Sequence, residues 1–131
     1  VYSDTRPFPD AEQVVMALLE PLATVVVVSP REISNSLIQI HRAGGADDGV
    51  TDIARLETEC IACSRHDAWR LAEAVRQRVL NAAASVHAGA LIDRTAVEIA
   101  PQQVPDDNPD IRRVVATYRL SMRRPLTAGK D

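Results

Sequence analysis

The chain has 131 residues, 46% of them hydrophobic, which is enough material for one core and too little for two. Aromatic residues make up only 3%, so Val, Leu, Ile and Ala fill the interior and no platform for stacking nucleic-acid bases can be assembled. A net charge of −3 argues against the broad positive field by which proteins grip a phosphate backbone.

No run approaches the roughly 18 apolar residues of a membrane span, and the first residues lack the charged and apolar blocks of a signal peptide. No membrane partner is expected, and the chain reads as cytoplasmic in the cell that makes it. Its two cysteines are expected to be reduced.

In chain order, residues 1–9 hold Pro7 and Pro9 without periodicity and read as an extended lead-in. Asp10 offers an N-cap, and Val14, Val15, Leu18, Leu19 and Leu22 fall on one helical stripe, giving a helix to about Glu20 that Pro21 ends. Val25 to Val28, closed by Ser29-Pro30, form a short β-branched strand, buried on both faces or covered by a neighbour. Ser36 to Arg42 alternates as a second strand with Ile38 and Ile40 inward. Ala43 to Gly49 carries three glycines and two acids, which is turn chemistry. A longer strand from Thr51 to Cys63 follows, with Leu56, Thr58, Cys60 and Ala62 on one face.

Ser64 and Asp67 form a capping signature, and Ala68, Leu71, Ala72, Val75, Val79, Ala82 and Val86 trace an apolar stripe behind them. Thr95, Val97 and Ile99 alternate with Arg94, Ala96 and Glu98 as a fourth strand. Residues 101–110 hold Pro101, Pro105 and Pro109 and read as a loop. In the last strand Val114, Ala116, Tyr118, Leu120 and Met122 oppose Arg113, Thr117, Arg119, Ser121 and Arg123. The tail 125–131 is expected to fray. The order α-β-β-β-α-β-β predicts an α+β fold, a single domain over 1–131 with two helices on one face of a largely antiparallel sheet.

Candidate chemistry is sparse. Cys60 and Cys63 match Cys-x-x-Cys, but a strand sends residues three apart to opposite faces unless Cys63 has already left it, and no second pair completes a metal site. Asp47, Asp48, Asp52 and Glu57 cluster around the glycine turn, where acids commonly satisfy backbone donors. No phosphate loop, dinucleotide fingerprint or nucleophile motif is present. No catalytic residue, metal or cofactor is expected. Arg113, Arg119 and Arg123 share a face with Arg55, Glu57, Glu59 and Glu98. That face reads either as a solvated charge lattice or as an inter-subunit or channel-proximal surface.

The segment Ile40 to Asp52, the strand opening Ala54-Arg55-Leu56-Glu57, Ala68 to Arg76 and the closing Arg112 to Leu120 together resemble tail terminator proteins of long-tailed phages of the actinobacteriophage type. Phe8-Pro9-Asp10 is similar to how those proteins begin, so the likeness spans roughly residues 8–124. The resemblance implies a homohexameric ring that caps the tail tube, stops its growth and meets the head-tail connector, without catalysis. It also implies passage of genomic DNA without sequence-specific binding. The place implied is the head-proximal end of the virion tail, reached from the host cytoplasm. Composition, with glycines that permit a bent backbone and acids that project charge from a hairpin tip, makes Gly44, Gly45, Asp47, Asp48, Gly49 and Asp52 a docking loop. Three readings stand beside it: another head-tail connector or tail-tube-like protein, a small metal- or ligand-binding regulatory domain using the acidic turn, and a minor hydrolase.

Overall fold

The computed structural model describes residues 6–28 and 36–125. The Ser29-Pro30 pair, the first five residues of the lead-in and the tail after Pro125 lie outside the described residues. Two helices, α1 (Ala11–Leu19) and α2 (Arg65–Leu80), accompany β1 (Thr24–Val26), β2 (Leu37–Asp47), β3 (Thr51–Ala62), β4 (Val86–His87), β5 (Ala90–Val104) and β6 (Arg112–Arg123). The strands form one sheet in the order β1-β2-β3-β6-β5-β4, antiparallel except for the β1–β2 pair. The fold is α+β, as the sequence order predicts, with the two-residue β4 added.

Both helices start where capping chemistry places them. The carboxylate of Asp10 accepts from the amides of Glu12 and Gln13, and the Ser64 hydroxyl accepts from the amide of Asp67, which satisfies donors that a first helical turn leaves orphaned. Val14, Val15, Leu18 and Leu19 of α1 and Ala68, Ala72, Val75 and Val79 of α2 are buried against the sheet. The inward residues of the sheet are those that alternation singles out: Ile38, Ile40, Leu56, Cys60, Val114, Ala116, Tyr118, Leu120 and Met122. A smaller cluster of Leu37, Ile61 and Ile111, with Val26 against it, is separate from this main core.

Four expectations are corrected. The first strand stops at Val26, leaving Val27 and Val28 exposed. Val86 lies on β4 and is exposed, because α2 ends at Leu80, the amides of Asn81 and Ala82 close its last turn, and that of Ala84 donates to the carbonyl of Ile92 in β5 at 2.7 Å. Leu71 is only partly buried, at the margin of the core. The proline-bearing stretch is partly strand: β5 runs through Pro101 to Val104, and its register shifts between Ile99 and Gln102. Beyond Leu91, β5 has only β6 beside it among the described residues, and on such an edge the missing amide of proline leaves no ladder bond unmade.

Candidate docking hairpin and the charged outer face

The glycine-rich segment is mostly strand. β2 continues to Asp47 and pairs with β3 up to Asp47 opposite Asp52, with a bulge between Arg42 and Gly45. The turn proper is Asp48-Gly49-Val50. Two side chains build it: the Asp47 carboxylate accepts from the amide of Gly49 at 3.0 Å, and the Asp48 carboxylate accepts from the amides of Val50 and Thr51 at 2.9 and 2.8 Å. Those backbone donors hold the Asp48 carboxyl below its ordinary range. Both acids therefore staple the turn to itself, and the side chain that stands clear at the tip is Val50, 62% exposed.

Asp52 stands apart from this exposed group. It is 4% exposed and takes both forks of the Arg42 guanidinium, each at 2.7 Å, while Arg42 Nε donates to the carbonyl of Gly44 at 2.9 Å. The amide of Arg42 in turn donates to the Glu12 carboxylate of α1 at 2.9 Å. Asp52 thus fixes the base of the hairpin to the bulge and, through Arg42, to the first helix.

The outer face of the sheet is a lattice of ion pairs. Glu98 accepts from Arg119 at 2.7 Å and from Arg55, Arg113 reaches both Glu59 and Asp106, and Arg123 meets Asp93 at 3.0 Å. Glu57 lies 3.2 Å from the His41 ring nitrogen. The register explains the set, since Arg55 stands opposite Arg119 and a carboxylate between two such like charges removes their repulsion. Asp93 and Asp106 are partners that alternation alone does not reveal, because one lies near a register shift and the other in the loop before β6.

Arg119 and Arg55 hold the Glu98 carboxyl below its usual range, and the Asn108 amide together with Arg113 does the same for Asp106. A carboxyl lowered on folding adds stability above its unfolded value and loses it as pH falls through the folded one. The melting temperature should therefore decline as pH drops below the ordinary glutamate value of 4.5, and Glu98→Gln should shallow that decline. Identical pH profiles for the two proteins would show that the lattice adds nothing.

Residues 7–128 match the family described as phage tail termination protein. The chain belongs to that family. It is accordingly a structural protein of a bacteriophage virion with a role in the tail. A chain in the solved virion of a native gene transfer agent particle shares the fold, with a TM-score of 0.59, 16% identity and 84% of each chain covered. No curated protein matches the sequence.

For a phage tail termination protein the remaining candidates are quiet. Cys60 is buried, which pushes its thiol up to about 12, whereas Cys63 is exposed just past the end of β3, where strand alternation no longer sets its direction. Among the described residues no three His, Cys, Asp or Glu side chains converge on a cation position, and no helix is long and apolar enough to cross a membrane. The residues that sequence reading passes over are Arg42, Val50 and Arg124. Arg42 closes the Ser36–Arg42 stretch and its role depends on a bulge, which a period-two pattern cannot show.

Proposed function

We propose that this chain is a tail terminator that closes into a homohexameric ring on the end of the tail tube, halts tube growth and offers its upper surface to the head-tail connector. The family match over residues 7–128 carries this reading. It acts without catalysis or cofactor, at the head-proximal end of the tail, after assembly in the host cytoplasm, and residues 1–131 work as one domain. A closed ring of identical chains needs two unlike patches that recognise each other. The two ends of the sheet are suited to that task. Among the described residues β1 has only β2 beside it and β5 is covered by β4 at Ala90 and Leu91 alone. Exposed Val27 and Val28 mark the first edge, and exposed Leu91 and Ile99 the other.

Arg55, Glu57, Glu59, Arg113, Arg119 and Arg123 form an inter-subunit or channel-proximal surface. Because its arginines already hold carboxylates, it has little free positive charge with which to retain passing DNA. The hairpin tip of Asp47, Asp48, Gly49 and Val50 docks on the tube or a neighbouring terminator, while Gly44, Gly45 and Asp52 set its direction.

Light scattering and electron microscopy of tails test the ring. Six-fold density at the upper end of the tail is expected, and a strict monomer at high concentration together with no such density would overturn the proposal. The tip is tested by Val50→Ser and by Asp47→Asn with Asp48→Asn, since Asn keeps the accepting oxygen of each turn and removes only the charge. Stability should move by no more than about 0.5 kcal/mol. Tails of abnormal length or detached heads are expected; normal particles from both variants would remove the docking role.

A further inference from the structure

Three segments distant in the chain meet at one guanidinium. Arg124, just past the end of β6, donates Nε to the carbonyl of Arg6 at 2.5 Å and Nη1 to the carbonyl of Gly49. Its guanidinium also lies 4.0 Å from the centre of the Phe8 ring. Arg6 donates in return to the carbonyl of Pro125. Arg6 and Phe8 belong to the lead-in, and Gly49 is the tip of the β2–β3 hairpin.

The lead-in is thinly seated. Residues 6–10 make no helix or strand. Two adjoining cavities of about 350 and 390 Å³ are both lined by Pro9, Gly89, Ala90 and Pro125, so this segment borders open space as well as packed core.

We infer that Arg124 makes the order of the hairpin tip conditional on the seating of the N-terminal lead-in. A guanidinium is a rigid planar fork whose donors point in fixed directions. With the lead-in seated, the Arg6 carbonyl and the Phe8 ring fix the plane of that fork, and Nη1 stays aimed at Gly49. With the lead-in lifted, the Arg6 carbonyl and the Phe8 ring are lost together, the plane of the fork is no longer fixed by them, and the bond to the Gly49 carbonyl is made a smaller share of the time. The turn bonds that Asp47 and Asp48 make then open more often, while the base keeps the Arg42–Asp52 pair, so only the tip loosens. The value of this device for assembly rests on the proposed docking role, because a tip set in advance binds with less ordering cost. The coupling itself does not depend on that role.

Amide hydrogen exchange on the full chain tests it, with Phe8→Ala and Arg124→Lys as variants. Phe8→Ala should speed exchange of the Val50 and Thr51 amides by about tenfold, although the contact it removes is with Arg124 and not with either amide. Arg124→Lys, which keeps the charge and loses the fork, should do the same. The amides of Leu56 and Tyr118 at the sheet centre should be unmoved in both. Unchanged tip exchange in Phe8→Ala would overturn the coupling, and so would acceleration spread evenly over β3 and β6. Because the measurement uses the free chain, the coupling can hold while docking fails, and normal tails built from a variant with a loosened tip would sink the docking role alone.

Discussion

Truncating Leu120 to Ala should lower the free energy of unfolding by about 2–5 kcal/mol, while Leu71→Ala should cost about 1 kcal/mol. Leu120 is fully buried on β6, the strand flanked by β3 and β5, where Ala54 and Thr95 stand beside it. Removing its side chain loses transfer energy and leaves a cavity that strands tied on both sides cannot collapse to fill. Leu71 sits on α2 at the margin of the core, near Leu22 and Ala23, where truncation exposes a surface that water already reaches in part. A urea titration separates the two by their midpoints at constant slope. Equal losses would mean that α2 is rotated so that Leu71, and not Ala72, faces the sheet.

That contrast shows what kind of information a sequence pattern holds. Alternation in β3 and β6 identifies the inward residues because a strand's period of two leaves no freedom once one face is apolar. The helix caps at Asp10 and Ser64 are legible for a similar reason: each acts within three residues of itself. Leu71 shows the weaker case, since a wide apolar stripe contains both the residue aimed at the sheet and the one beside it. Periodicity fails where the backbone slips register. The bulge after Arg42 lengthens β2 by five residues beyond its alternating part and brings Arg42 to Asp52. The shifts in β5 carry a strand through Pro101.

The candidate site divides along the same line. Arginines and glutamates of the outer face are visible as a face, and which carboxylate meets which arginine is set by sheet order, with β6 between β3 and β5, which composition does not encode. Asp47 and Asp48 were legible as turn residues, and their carboxylates are indeed spent on backbone amides. Arg124 gives no local signal at all, because its partners at Arg6, Phe8 and Gly49 are 75 or more positions away.

The hairpin's direction depends on a single missing atom, and Gly45→Ala should therefore be among the most damaging single changes in the chain. Gly45 has φ of +132°, and a Cβ there would lie 2.0 Å from the carbonyl oxygen of Ile53 and 3.1 Å from its carbon. Both are backbone atoms of the paired strand, so no side chain can swing aside to relieve the overlap. The strands must part at the bulge, which strips ladder bonds from β2 and pulls Gly44 away from Arg42 Nε, loosening the Arg42–Asp52 pair in turn. Left-handed strain and this clash together should destabilise the fold by about 3 kcal/mol, or roughly 10 °C in melting temperature. Gly44→Ala supplies the comparison. Its φ is +84° with nothing within 4 Å of the added atom, so it meets the conformational strain alone and should lose about 1 kcal/mol. Scanning calorimetry of the two variants decides the matter: a Gly45→Ala protein no less stable than Gly44→Ala would show that the close approach of β2 to β3 at the bulge does not hold the hairpin in its direction.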